Sequence, residues 1–144
     1  MKEVARHVLR RPVVGIAAAA RTADDRWLLI RRGDSGEWAL PGGTLEWGET
    51  LSVAIVRELL EEAGVESPKL GRLVGVYSGP FRDPRFHVVT VVVEAEIEPP
   101  TRRPMNPVEI LDARLFARAD LPKELSHNMT PMLEDALAGK SRLE

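Results

Sequence analysis

An α/β/α sandwich built on one central mixed β-sheet is the fold this sequence predicts, and three observations predict it. Strand-like and helical patterns alternate along the chain, with no internal repeat or linker between them. Two stretches have helical periodicity, one following Thr50 and one at residues 129–137, while the other apolar runs are short and β-like. The length of 144 residues suits one domain, 1–144, with one core.

The elements follow in order. Residues 1–12 form a basic lead-in with partial helical character, carrying Lys2, Arg6, Arg10 and Arg11. Residues 13–20 read as a first buried strand. Ala18, Ala19 and Ala20 imitate a signal-peptidase site, but Gly15 and the small alanines make a poor signal core. A polar turn at 22–26 leads to a hairpin partner at 27–30. Residues 31–37 are a charged loop, and 42–48 a glycine-rich one. The helix that follows places Leu51, Ala54, Ile55, Leu59 and Ala63 close to one stripe, with Thr50 as N-cap and Gly64 as its stop. A strand at 70–77, a turn-rich loop at 78–85 and a strongly β-like run at 86–97 come next. Residues 98–107 hold four prolines and read as a surface loop. A last strand at 110–116 and a closing helix at 129–137 complete the pattern.

Composition narrows the function. Apolar residues at 44% and charged residues at 29% suit a soluble globular chain. The net charge of -2 supplies no basic field for nucleic acid or an anionic membrane, so an anionic ligand must be attracted locally. No cysteine is present, which excludes a disulfide framework and thiol catalysis and suits a reducing, cytoplasmic setting. No run approaches the roughly 20 apolar residues of a membrane-spanning helix.

Glu58, Glu61 and Glu62 lie at i, i+3 and i+4 on the first helix and share one face. Three carboxylates on one turn repel each other, and a hard divalent cation, Mg2+ or Mn2+ in its place, removes that conflict. Glu46 and Glu49 stand ready to add ligands or hold water. A solvated helix face paired with Arg57 is the plain alternative.

Context favours the cation. Residues 43–65 read GTLEWGETLSVAIVRELLEEAGV, with Gly43, Glu49, Arg57, Glu58, Leu59, Glu61, Glu62, Gly64 and Val65 at the spacing of the Nudix box. The chain thus resembles a Nudix hydrolase. The resemblance implies the Nudix fold and metal-assisted hydrolysis of a nucleoside diphosphate linked to another group, X. It makes Glu58, Glu61, Glu62 and the carbonyl of Gly43 metal ligands, to which Glu46 is a candidate addition, with Arg57 orienting a box glutamate. It implies a general base that is either a box glutamate, Glu61 or Glu58, or an acid near the last strand, Glu109 or Asp112. Enzymes of this kind are often homodimers.

Residues 75–90, GVYSGPFRDPRFHVVT, closely resemble the segment after the box in ADP-ribose pyrophosphatases, where a proline at the place of Pro80 is a marker. That resemblance implies a nucleotide-sugar substrate. Arg82 and Arg85 are expected to meet phosphate or ribose oxygens, Phe81 to stack on a base, and Asp83 to accept a ribose hydroxyl. A stiff turn with exposed arginines is the bland alternative. His87 is read as a hydrogen-bonded structural residue, and His127 as a capping or packing residue. Trp27, Trp38 and Trp47 are read as core or loop anchors, with the mouth of the site as the alternative place for Trp47. A triphosphate-sanitising hydrolase of the 8-oxo-dGTP type and a non-catalytic ADP-ribose sensor are the rival readings.

Overall fold

The computed structural model of the chain describes residues 10–144. Most of the basic lead-in therefore lies outside the described residues. Eight strands form one sheet: β1 (Val13–Arg21), β2 (Arg26–Arg32), β3 (Trp38–Ala39), β4 (Gly42–Thr44), β5 (Lys69–Tyr77), β6 (Val88–Glu96), β7 (Ile110–Ala117) and β8 (Arg142–Leu143). Among the described residues two α-helices, α1 (Leu51–Ala63) and α2 (Thr130–Leu137), flank it. The sheet runs β3-β2-β1-β6-β5-β8, with β4 paired to β1 and β7 to β2. It is mixed, because β1 pairs with β6 in parallel while β5 and β6 are antiparallel.

The pleat of β1 explains its apolar run. Ile16, Ala18 and Ala20 point into one core with Ile55, Leu59 and Ala63 of α1. Ala17 and Ala19 point the other way, into a second core with Trp27, Tyr77, Met132 and Leu133. Successive side chains of a strand face opposite sides, so a strand covered by helices on both faces has no polar phase. That is the three-layer arrangement expected from the sequence.

Both ends of α1 are closed. Thr50 Oγ1 accepts from the N–H of Val53 at 3.3 Å. Gly64 adopts φ 66°, and the N–H groups of Gly64 and Val65 donate to the carbonyls of Leu60 and Leu59. The proline-rich loop then crosses the helix end: Thr101 N–H donates to Gly64 O at 3.0 Å, and Met105 N–H to Glu61 O at 2.8 Å. These bonds satisfy carbonyls that a helix terminus leaves free.

Several element limits differ from the expected pattern: β2 takes in residues expected in the turn before it and the charged loop after it, and β6 starts two residues later and ends one residue earlier than expected. Gly42–Thr44 is a strand rather than loop, β3 and β8 were not anticipated, and β7 runs one residue further than expected. Short strands of two or three residues owe their existence to a partner, and carry no period of their own. Trp27 is buried and donates from Nε1 to Asp25 Oδ1, whereas Trp47 is fully exposed. Among the described residues no helix is long and apolar enough to cross a membrane.

The last residues seal the β5 edge. Tyr77 donates its hydroxyl to Asp135 Oδ2 at 2.7 Å, and Arg142 reaches both oxygens of the same carboxylate. Glu144 takes Arg82 and the N–H of Gly79 on its carboxylate. Arg82 holds that carboxyl at about 2, below its ordinary 4.5. A depressed folded value means that the stability from Glu144 is complete above about pH 4.5 and is lost as the pH falls towards 2. Thermal melts between pH 6 and pH 3 should therefore fall less steeply for Glu144→Gln than for the parent chain. Equal slopes would refute the linkage.

Candidate functional site

The site forms where β4 crosses β1 beside α1. Gly42 pairs with Ala17 and Gly43 with Ile16. A Cβ on Gly42 would lie 2.1 Å from the carbonyl oxygen of Ile16, so only glycine lets the strands approach this closely. Gly42 N–H then donates to Glu62 Oε1 at 2.7 Å, inside the protein. Glu62 is 5% exposed. Burial pushes its carboxyl up to about 8, despite the bond from Gly42. Glu58, one turn earlier, is also raised by burial, against the pull of Arg57.

Arg57 is the hub of the box. Its Nε and Nη2 hold Glu49 at 2.7 and 2.8 Å, and its Nη1 donates to Glu58 Oε1 at 2.8 Å. Glu61 lies 3.3 Å and Glu46 3.6 Å from the same nitrogen. Glu49, expected as a spare ligand or water holder, is instead the bidentate partner of Arg57, which lowers its carboxyl to about 2. One guanidinium thus faces the carboxylates of Glu46, Glu49, Glu58 and Glu61. The surplus is negative.

That surplus and the raised carboxyls fit a hard cation. A Cβ on Gly43 would stand 2.5 Å from Glu58 Oε1, so the backbone of Gly43 and the carboxylate of Glu58 meet only because no side chain intervenes. Among the described residues no three acidic or histidine side chains converge into a ready-made cage. Mg2+ does not demand one, since it keeps several waters and takes one or two protein carboxylates.

Gly43, Glu58 and Glu62 line a cavity of about 330 Å³. Its other wall carries Arg32, Arg82, Asp83, Arg85, Glu109 and His127. Arg82 and Arg85 are not free: Arg82 is bound by Glu144, and Arg85 grips Asp83 at 2.7 and 3.0 Å. Pro80 and Phe81 line a separate, neighbouring cavity, and Phe81 is 91% exposed. Asp112 faces Arg114 at 3.1 Å on β7 and is not part of the cavity wall. Glu46 and Glu61 do not line this cavity; Glu46 is exposed and Glu61 about half exposed. His87 is hydrogen-bonded to the carbonyl of Ser78 at 2.8 Å, the structural role expected.

Sequence reasoning did not single out Arg32, Asp34 or Glu144, and it assigned His127 no part in the cavity. Arg32 ends β2 and reaches the site because β2 lies beside β1. No local signal marks such a residue; only the strand order brings it there.

Known proteins resemble this chain in sequence and in fold. Over 72 residues the chain is 51% identical to an ADP-ribose pyrophosphatase of Methanocaldococcus jannaschii, a match covering 48% of this chain and 42% of the relative. The match thus spans less than half the length of that relative. A solved ADP-ribose pyrophosphatase from Streptococcus suis superposes with a TM-score of 0.76 at 26% identity, covering 93% of this chain and all of the other (100%). A MutT NUDIX hydrolase from Burkholderia pseudomallei gives 0.69 at 32% identity, over 88% and 98% of the two chains. The family model of the NUDIX domain matches residues 9–136, a span that includes the carboxylate helix, the glycine strand beside it and the cavity they line. By that match and that architecture, the chain belongs to the Nudix family.

Proposed function

We propose that the chain is a Mg2+-dependent pyrophosphatase that cleaves ADP-ribose or a closely related nucleoside diphosphate sugar into a nucleoside monophosphate and a sugar phosphate. One observation carries the reading: the metal-suited group Gly43, Glu58 and Glu62 shares a single cavity with Arg82, Asp83, Arg85 and Glu109. Two of the similar proteins are ADP-ribose pyrophosphatases, which supports the substrate class.

The reaction is attack of water on one phosphorus of the diphosphate, with rupture of the bond to the bridging oxygen. The bound cation supplies neutralisation of the phosphate oxygens and a lowered pKa for coordinated water. Glu58 and Glu62 would hold it together with the carbonyl of Gly43, and Mn2+ can substitute because the donors are all oxygen. Arg57 fixes Glu58 through Nη1 and is itself anchored by Glu49, so the ligand is held in place before substrate arrives. Glu109, at the loop before β7 and on the cavity wall, is the carboxylate we assign to take the proton of the attacking water. Asn106 accepts the N–H groups of Val108 and Glu109 on its side-chain oxygen, which shapes that loop.

A substrate panel with Mg2+ tests the proposal: ADP-ribose, GDP-mannose, UDP-glucose and 8-oxo-dGTP, with products separated into nucleotide plus sugar phosphate or pyrophosphate. ADP-ribose should be turned over fastest, releasing AMP and ribose 5-phosphate. Preference for 8-oxo-dGTP with release of pyrophosphate would overturn the substrate assignment. No turnover of any member would overturn the enzymatic reading.

A further inference from the structure

β7 lies at an edge of the sheet. Among the described residues it pairs with β2 alone, and its ladder is regular from Asp112 to Ala117, with one shift at its start opposite Arg31 and Arg32. The phase of β2 decides which residues of β7 turn their main chain outward. Arg32 N–H donates to the carbonyl of Glu37, the residue before β3, at 2.9 Å. Arg32, Ile30 and Leu28 therefore point to the β3 side, and Arg31, Leu29 and Trp27 point to β7, where they meet Asp112, Arg114 and Phe116. Ala113 and Leu115 are left facing the open edge. A side-chain bond agrees: Ala113 N–H donates to the carboxylate of its own neighbour, Asp112 Oδ1, at 2.8 Å. The strand is eight residues long and holds neither lysine nor proline, so the usual guards of a bare edge are missing.

The order of its side chains selects what pairs there. Outward from Ala113, β7 sets Asp112 against Arg114, Leu111 against Leu115 and Ile110 against Phe116. An antiparallel pair with a two-fold axis through Ala113 places each of these residues opposite its counterpart, charge to opposite charge and apolar to apolar. The same axis suits the main chain, because Ala113 is an outward residue and forms a hydrogen-bonded pair with its own copy. Asp112 and Arg114 then occupy non-hydrogen-bonded positions, where facing side chains come closest. An axis through Asp112 or Arg114 would put like charges together. One through Leu111 or Leu115 would leave Asp112 and Arg114 without each other.

We propose that two copies of this chain associate through β7, antiparallel about Ala113, so that Asp112 of each copy faces the partner's Arg114 and the two sheets become continuous. In a single copy Arg114 Nη2 reaches Asp112 Oδ2 at 3.1 Å, and both side chains are about half exposed. On pairing, the carboxylate leaves the N–H of Ala113 to the partner's Ala113 carbonyl and turns to the arginine across the axis. Leu111, 49% exposed in one copy, comes to lie against the partner's Leu115. Neither the surface nor the register depends on what the cavity binds.

Sedimentation velocity of the full chain at micromolar concentrations tests this. The parent chain should show a reversible monomer–dimer equilibrium. Asp112→Arg and Arg114→Asp should each weaken it by about tenfold or more, since one substitution sets two like-charge pairs across the axis. Mixed in equal amounts, these two variants should associate about as tightly as the parent, because every charge then faces its opposite. The double variant, Asp112→Arg with Arg114→Asp, should recover the parent's affinity as well. Ala113→Pro spares the bonds to β2 and should abolish the dimer, with a thermal melt to show that the variant folds. A parent chain that stays monomeric, or a dimer indifferent to these substitutions, would overturn the surface. Charge reversals that weaken the dimer without rescuing each other would overturn the register.

Discussion

Glu62→Gln is expected to lower kcat by about a thousandfold, several kcal/mol of transition-state stabilisation that the metal provides, without lowering the melting temperature. The two halves have one cause. Glu62 is a buried carboxylate whose only hydrogen-bond donor among the described residues is Gly42 N–H at 2.7 Å, and burial raises its carboxyl to about 8. Glutamine keeps the shape and the accepting oxygen, so the bond from Gly42 survives. Burial already holds this carboxyl mainly protonated below about pH 8, so without a cation the substitution removes little charge from the fold. Removing an ordinary structural ion pair would instead destabilise the chain. Mg2+ titrations of kcat, run with scanning calorimetry in EDTA, check both halves. Full activity with an unchanged Mg2+ dependence would remove Glu62 from the metal site. Lost activity with a large fall in melting temperature would make its role structural.

Gly64→Ala is expected to be the most damaging small substitution for stability, at about 3 kcal/mol, or a fall in Tm of about 10 °C for a chain of this size. Two costs add. Gly64 has φ 66°, where an L side chain is strained. A Cβ there would also lie 2.0 Å from the carbonyl oxygen of Arg102 and 2.6 Å from its carbon. Backbone cannot swing aside as a long side chain does, so the loop at 98–107 must lift from the end of α1. Lifting it breaks the bonds from Thr101 N–H to Gly64 O and from Met105 N–H to Glu61 O. Those bonds hold the helix end that carries Glu61 and Glu62. The variant should accordingly lose affinity for Mg2+ as well as stability. Calorimetry is the direct check, and a shift of under about 2 °C would mean that the loop relaxes without penalty.

The box shows how a local pattern becomes a site. Spacing of i, i+3 and i+4 does bring Glu58, Glu61 and Glu62 to one side of α1, but a helix face has edges. Glu62 falls on the edge that turns inward beside Leu59 and Ala63 and is buried, while Glu61 is about half exposed (45%). Which edge faces the sheet depends on where β4 lies, and β4 exists only by pairing with β1. The same dependence applies to Glu49. Its spacing from Arg57 is legible, but that Arg57 grips it with both arms follows from the path of residues 45–50 over the helix.

The segment after the box shows the opposite limit. Arg82 and Arg85 look like free cations in a turn, yet each is claimed by an acid, Glu144 in one case and Asp83 in the other. Glu144 lies far away in sequence and arrives because β8 pairs with the β5 edge. A strand of two residues gives no warning of itself.

By itself the sequence determined the class of fold, the limits of both helices, the double-sided burial of β1 and the carboxylate helix. Each of these is written in patterns a few residues long: helical spacing, an apolar run, a capping threonine, a glycine at a helix end. Only the tertiary structure decided which carboxylates are buried, which acids claim the arginines, and that His127 comes to the cavity wall with Asp34 and Asp83 beside it. The physical reason is that burial and ion pairing depend on neighbours distant in the chain. A short pattern specifies how a segment folds; the order of strands in the sheet specifies what it meets.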